Sequence, residues 1–188
     1  LAVQYLTEHN LADIIISDDG LQHYAMGRQI EIAVVDAVSG LGNGLLLPAG
    51  PLRELPSRLL SVDIVISNGG DDEIASHLVA KQFMNVVTGE IKSLNGFKAT
   101  RCYGVAGIAK PERFFASLEA LEIDVVQKPF SDHHAFTSKD LSFDEEYPIL
   151  MTSKDCVKCR SFATSQMWYL AVNAELSHDF YQQLESKL

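Results

Sequence analysis

The segment ADIIISDDG, residues 12–20, places three isoleucines directly before two aspartates and a glycine. A short, continuous run of β-branched residues is typical of a strand buried on both faces of a parallel sheet. Two further segments repeat the pattern, EIAVVDA at residues 31–37 and VDIVISN at residues 62–68, and a helical pattern at residues 1–10 precedes them. The sequence therefore predicts an α/β fold organised around a parallel sheet.

The second half of the chain continues the alternation of strand and helix. We predict strands at residues 102–109, 123–130, 147–153 and 167–176, and helices beginning near residues 110, 137, 153 and 178. Between the halves, alternating residues around Gly89 and the Asn95–Gly96 pair predict short antiparallel strands with a tight turn. We accordingly predict a sheet core over residues 1–80, a β-ribbon linker over residues 81–101 and a smaller α/β lobe over residues 102–188.

Composition excludes several classes of protein. The 188 residues are 47% hydrophobic and 21% charged, which is typical of a globular chain. The net charge of −10, from 15 basic and 25 acidic residues, argues against a nucleic-acid partner, because phosphate backbones are bound by clustered Lys and Arg. Three cysteines are an odd number, so a disulfide framework is not favoured. The pair Cys156 and Cys159 lacks the second half of a zinc site.

Asp18 and Asp19 follow the first apolar run, at the edge of the sheet where α/β folds bind ligands. In P-loop nucleotidases an aspartate so placed helps to hold Mg²⁺, which bridges the β- and γ-phosphates. Aspartate is also favoured in ordinary turns and helix caps, so the pair alone leaves both interpretations open. The chain contains no G-x-x-x-x-G-K-[ST] loop. Because it begins with Leu1 inside a helical pattern, we expect it to be the downstream part of a longer polypeptide that carries that loop.

Four blocks of sequence resemble the tetraacyldisaccharide 4′-kinases, the lipid A kinases of Gram-negative bacteria. They are residues 16–59, beginning ISDDGLQH and containing LPAGPLRELPSRL, residues 105–115 (VAGIAKPERFF), residues 129–141 (PFSDHHAFTSKDL) and residues 151–159 (MTSKDCVKC). The resemblance implies part of a P-loop-NTPase-like core joined to a second, smaller lobe by the β ribbon. It further implies transfer of the γ-phosphate of ATP to the 4′-hydroxyl of the acylated glucosamine disaccharide 1-phosphate, giving lipid IVA, with Mg²⁺ as cofactor. The resemblance also implies a reaction at the cytoplasmic face of the inner membrane. The membrane contact would be made by a hydrophobic segment that is not among the 188 residues.

The resemblance also implies roles for residues of the first block. Asp18 and Asp19 match the family's Walker-B-like DDG, and Asp19 is the first choice as the direct or water-mediated Mg²⁺ ligand. Gln22 and His23 complete the DDGLQH block, and the resemblance implies that they lie next to the phosphates or the substrate sugar.

Two later blocks supply three more candidates. Arg53 and Glu54 match a second family motif, and the planar fork of donors on Arg53 suits a phosphate. A surface ion pair between these two residues is the alternative. His133 matches a histidine that the family pairs with an aspartate of the P-loop lobe, where the acid takes the proton of the sugar hydroxyl. That aspartate would precede Leu1.

The sequence departs from the family pattern in three places. Ala109 and Lys110 stand where Gly-Asn is usual, Ser131 replaces a proline and Ser153 stands where Glu is common.

One alternative function takes Asp132-His133-His134 as the metal signature of a DHH-type phosphoesterase. Another is a non-catalytic nucleotide-binding module, which tight Mg²⁺-dependent ATP binding without turnover would favour.

Overall fold

The computed structural model describes residues 2–188, and these residues form two compact units. The first contains the residues up to Ser76 together with Leu176–Leu188, and the second is His77–Glu175. None of the helices among the described residues combines the length and the apolar composition required to cross a bilayer.

The first unit is built on two fully paired parallel strands. Its elements are helix α1 (Ala2–Glu8), strands β1 (Ile32–Asp36) and β2 (Ile64–Asn68), the start of β3 (Ala75–Asn85) and the last helix, α4 (His178–Glu185). β1 pairs with β2 in parallel from Ile32 opposite Ile64 onward, and β2 pairs in parallel with the first residues of β3. Ile64 and Ile66 of β2 pack with Phe180 of α4 in a small core. The strands predicted at residues 31–37 and 62–68 are thus confirmed.

The strand predicted at residues 12–17 is wrong for this structure. These residues are not part of a strand, and no strand of the sheet formed by the described residues pairs with them. Ile14 is 64% and Ile16 91% exposed. A buried strand needs partners for its N–H and C=O groups. Without a hydrogen-bonded neighbour, the isoleucines stay in solvent, and Asp18 and Asp19 follow an irregular segment.

The second unit is a mostly parallel sheet with helices between its strands. Its strands lie in the order β3, β8, β7, β5, β6, and β5 pairs in parallel with both β6 and β7. β7 pairs in parallel with β8. Besides β3, the elements are β4 (Ile91–Lys92), β5 (Arg101–Ala106), α2 (Pro111–Glu119), β6 (Asp124–Pro129), β7 (Ile149–Thr152), α3 (Ser153–Cys159) and β8 (Met167–Leu176). The alternation confirms the predicted α/β class.

The local chemistry explains why α2 and α3 begin where they do. Pro111 occupies the first turn of α2, where its missing N–H is no loss. Thr152 caps α3 by accepting a hydrogen bond from the Asp155 N–H. The helix predicted near residue 137 is absent, although Asp140 accepts hydrogen bonds from both the N–H and the hydroxyl of Thr137, as a residue three positions after a helix cap often does. These two bonds close a single turn, and no helix follows it.

The ribbon and the end of the chain differ in part from expectation. β3 and β4 pair antiparallel, with Phe83 opposite Lys92, and Gly89 of the connecting turn has a φ of 71°. Asn95 and Gly96 lie in a 3₁₀ turn, Leu94–Phe97, and not in a hairpin turn. The last residues pack with the first unit through Phe180, although they were predicted within the lobe at residues 102–188. The functional limits of the domains stay a prediction.

Candidate active site

The DDG turn displays both carboxylates to solvent. Asp18 and Asp19 lie in a turn and are exposed, and Asp19 has a φ of 50°, a left-handed conformation that aspartate tolerates better than most residues. The His23 N–H donates to the Gly20 carbonyl at 3.0 Å. A Cβ on Gly20 would lie 2.6 Å from the Ser17 hydroxyl oxygen, so a larger residue there would require the Ser17 side chain to move.

Arg53 contacts two of the other predicted site residues. Its Nη1 lies 3.0 and 3.2 Å from the carboxylate oxygens of Asp19 and 3.4 Å from Oε1 of Gln22. The side chains of Arg53 and Asp19 are 60% and 74% exposed. An ion pair in this setting is worth less than about 1 kcal/mol. A phosphate or a cation can therefore displace either partner at little cost.

Glu54 is engaged within the same cluster. Its carboxylate accepts hydrogen bonds from Gln22 Nε2 at 2.6 Å and from the Tyr24 hydroxyl, and it lies 3.5 Å from Arg58 Nε. The bonds from Tyr24 and then Gln22 hold the pKa of Glu54 below its usual range. The same contact with Glu54 raises the pKa of Tyr24. In this structure Glu54 orients Gln22, and its predicted contact with substrate stays a prediction.

Arg28 ties the DDG turn to the rest of the first unit. Its Nη1 donates to the carbonyls of Gly20 and Leu21 at 2.6 and 3.0 Å, and its Nε lies 2.8 Å from Glu31. Arg58 donates to both oxygens of Glu31, at 2.7 and 2.8 Å. The side chains of all three charged residues are less than a fifth exposed. Sequence reasoning did not select them, although Arg28, Glu31 and Arg58 all lie inside the first matching block.

His133 lies in the second unit, in the segment that follows β6. Its side chain is 75% exposed, its Nε2 is 3.7 Å from Asp132, and its φ is 59°. Lys154 Nζ lies 3.9 Å from the same aspartate. His134, in contrast, lies between the rings of Phe130 and Phe136, each 4.8 Å away. His133 is the more exposed of the two histidines, since the side chain of His134 is only 28% exposed, and the role assigned to His133 stays a prediction.

The donors of the DDG turn fit magnesium only in combination with other ligands. Among residues 2–188 there is no group of three or more His, Cys, Asp or Glu residues that could hold a metal ion. Mg²⁺ commonly takes one or two protein carboxylates and completes its shell with water and substrate phosphates. Asp18 and Asp19 supply two adjacent, exposed carboxylates, which suits that mode of binding.

Fold and site together define an α/β protein in which an exposed arginine contacts one of two adjacent, exposed aspartates. Comparison with known proteins is more specific. The family model of tetraacyldisaccharide-1-P 4′-kinase, LpxK, matches residues 1–188. The chain belongs to this family.

Individual relatives agree with the family match. The tetraacyldisaccharide 4′-kinase of Ruthia magnifica is 53% identical over 189 residues, covering 100% of this chain and 60% of the relative. That of Nitrosococcus oceani is 46% identical, covering 97% and 55%. The chain thus spans between half and two thirds of the length of these relatives.

One solved structure has the same fold. LpxK from Aquifex aeolicus, crystallised in complex with ATP, matches with a TM-score of 0.64 at 20% identity, over 88% of this chain and 54% of that one. This likeness confirms the predicted α/β, P-loop-NTPase-like fold class. The roles assigned to individual site residues are not tested by it.

Proposed function

We propose that this chain works within an ATP-dependent kinase that phosphorylates the 4′-hydroxyl of tetraacyldisaccharide 1-phosphate and so gives lipid IVA. The observation that carries the proposal is the family match along the whole chain. Two facts support it: the relatives are named tetraacyldisaccharide 4′-kinases, and the structural neighbour was crystallised with ATP. The DHH-type phosphoesterase has no comparable support.

The DDG turn would bind the metal and its nucleotide. Asp18 and Asp19 would hold Mg²⁺, which when bound neutralises charge on the phosphates during transfer. Arg53 would exchange the carboxylate of Asp19 for a phosphate oxygen, since its present ion pair is exposed and weak. Gln22, oriented by Glu54, and the neighbouring exposed His23 would contact phosphate or sugar.

His133 would orient the proton acceptor for the sugar hydroxyl. Its exposed ring is free to pair with an aspartate of the P-loop lobe, in which case the acid takes the proton and the histidine holds it in position. Phosphoryl transfer requires little covalent chemistry from the protein. Positioning and charge compensation are therefore the main contributions of these side chains.

The remaining parts of the machinery would come from outside residues 1–188. The cradle for the phosphates is one such part, because the chain itself has no Gly-Lys-Thr or Gly-Lys-Ser motif. We place the reaction at the cytoplasmic face of the bacterial inner membrane, where an acylated disaccharide resides with its chains in the lipid. Contact with that surface would be made by a hydrophobic segment of the same polypeptide.

An assay of the full-length protein tests the proposal. The protein is supplied with ATP, Mg²⁺ and the tetraacyldisaccharide 1-phosphate, and the product is identified by mass spectrometry and by the position of the new phosphate. We expect one added phosphate at the 4′ position. Tight Mg²⁺-dependent ATP binding without any product would instead favour the non-catalytic nucleotide-binding module.

A further inference from the structure

The second unit contains a fully buried carboxylate that joins the ends of two strands. Asp155, in the first turn of α3, is 0% exposed. It accepts hydrogen bonds from the Gly107 N–H at 2.9 Å and the Thr152 hydroxyl at 2.8 Å, and it pairs with Lys158 Nζ at 2.8 Å. A buried charge is costly unless it is paired and hydrogen-bonded. Three donors, one of them cationic, meet that requirement.

Helix capping explains only part of this arrangement. The reciprocal bonds between Thr152 and Asp155 are those of an ordinary helix start. The bond to Gly107 is different, because Gly107 directly follows β5 and lies 48 residues away in sequence. β5 lies between β6 and β7, so the ends of β5 and β7 flank the point where the strand order reverses. α/β folds often bind an anionic ligand at such a point, and here the internal carboxylate of Asp155 takes that place.

The same cluster supports the segment that carries His133. Phe136 packs against Gly107 so closely that a Cβ there would lie 3.1 Å from its ring. Lys158 Nζ lies 5.6 Å from the centre of the Phe136 ring, within the range of a cation–π contact. Phe136 also contacts His134, the residue after His133. The left-handed backbone of His133, with φ at 59°, therefore lies in a segment whose far end packs against Gly107 and Lys158, both of which bind Asp155.

A second contact leads from α3 to the same histidine. Lys154 precedes Asp155 and lies 3.9 Å from Asp132, whose carboxylate accepts the His133 N–H at 2.9 Å. Helix α3 thus contacts the histidine segment on both sides of His133, through Lys154 in its first turn and Lys158 in its last turn. At the other end, the Phe130 N–H donates to the Ala106 carbonyl of β5 at 2.8 Å. Displacing α3 would therefore move His133 relative to the sheet.

We propose that Asp155 is a positioning residue for His133, acting through Gly107, Lys158 and Phe136. The inference rests on the proposed function for its catalytic consequence. An asparagine oxygen in the place of Oδ2 can still accept from Gly107 and Thr152, but its amide group would then face Lys158 Nζ, which is itself a donor. The cluster would lose its central charge and the His133 segment would shift.

The kinetic test compares Asp155→Asn with Asp144→Asn, an exposed aspartate of the same unit, in the full-length kinase. A misplacement of the order of 1 Å costs up to about a hundredfold in rate. We expect kcat of Asp155→Asn to fall about ten- to a hundredfold with little change in KM for ATP. The decisive comparison repeats Asp155→Asn in a His133→Ala background. If Asp155 acts through His133, Asp155→Asn causes no further fall in kcat in the His133→Ala background. An equal fall in kcat in both backgrounds refutes the proposal and assigns Asp155 a merely structural role.

Two further variants protect the test against misfolding of Asp155→Asn. Lys158→Met keeps the apolar stem and leaves Asp155 its bonds to Gly107 and Thr152, and Gly107→Ala requires the Phe136 ring to shift, since the new Cβ would lie 3.1 Å from it. Each should lower kcat only when His133 is present. Full activity of both, with the wild-type melting temperature, would contradict the proposed path to His133.

Hydrogen exchange separates this inference from the proposed function. The amides of residues 130–136 should exchange faster in Asp155→Asn than in Asp144→Asn, whatever reaction the protein catalyses. Absence of 4′-kinase activity in the wild type would contradict the proposed function. The exchange rates would still show whether Asp155 holds residues 130–136 in place. Unchanged exchange in folded Asp155→Asn would refute the positioning role itself.

Discussion

Replacing Arg53 by methionine distinguishes a phosphate-binding arginine from a surface ion pair. In this structure Arg53 contacts Asp19 and Gln22, and its side chain is 60% exposed. An exposed ion pair contributes less than about 1 kcal/mol to stability. Arg53→Met should therefore leave the free energy of unfolding within about 1 kcal/mol of the wild type.

The effect on catalysis should be much larger. A hydrogen bond from a charged group is worth about 1.5–3 kcal/mol, and this loss corresponds to about a ten- to 150-fold fall in kcat/KM. Arg53→Lys keeps the charge but loses the planar fork, so we expect an intermediate value. The assay measures kcat and KM of the full-length kinase at saturating Mg²⁺, alongside chemical denaturation of each variant.

Two results would refute this reasoning. The first is a kcat/KM of Arg53→Met within twofold of the wild type, which would leave Arg53 as a partner of Asp19 alone. The second is a loss of activity that follows a loss of folded protein, which would assign Arg53 to stability. Tyr181→Ala, which alters an exposed side chain of α4 in the same unit, provides the control for nonspecific effects.

Three further predictions concern the stability and chemistry of the fold. Phe180→Ala removes a side chain that is 6% exposed and should lower the free energy of unfolding, measured by chemical denaturation, by about 3–5 kcal/mol. Tyr181→Ala alters a side chain that is 47% exposed and should lower it by less than about 1 kcal/mol. Equal effects would contradict the packing of α4. Because the pKa of Glu54 is lowered in the folded state, its ionised carboxylate stabilises the fold at pH values above the usual glutamate pKa. This stabilisation is lost as the pH falls through the folded-state pKa. The stability difference between wild type and Glu54→Gln should thus be constant near neutral pH and shrink below about pH 4, and a difference that grows on acidification would reverse the assigned sign. Burial raises the pKa of the thiols of Cys102 to about 12 and of Cys159 to about 11, so a thiol reagent at pH 8 should modify these cysteines only after unfolding, and rapid modification of the native protein would contradict their burial.

Sequence patterns identified those strands whose partners lie within the chain. The runs at residues 31–37 and 62–68 became β1 and β2, which pair with each other. The run at residues 12–17 has the same composition but forms no strand, because burial and pairing depend on a neighbour and not on composition alone. At Thr137, hydrogen bonds to Asp140 of the kind found at helix starts are present, but no helix follows, so a local starting signal alone does not determine a helix.

The sequence nominated residues for the candidate site but did not predict their contacts. The DDG and Arg-Glu motifs were selected through the family resemblance, and Asp19, Gln22, Arg53 and Glu54 are indeed close together. Their pairings join residues more than 30 positions apart, which no local periodicity reports. Asp155 looked like an ordinary helix start in sequence. Only its complete burial and its bond to Gly107 show that it does more than cap α3.

The most direct test of the account measures transfer of the γ-phosphate of ATP to the 4′-hydroxyl as a function of Mg²⁺ concentration. The full-length protein is compared with Asp19→Asn and with Asp13→Asn, an exposed aspartate outside the DDG turn. The account predicts that Asp13→Asn behaves as the wild type, while Asp19→Asn transfers phosphate far more slowly and requires more Mg²⁺. Wild-type rates and an unchanged Mg²⁺ requirement in Asp19→Asn would contradict it.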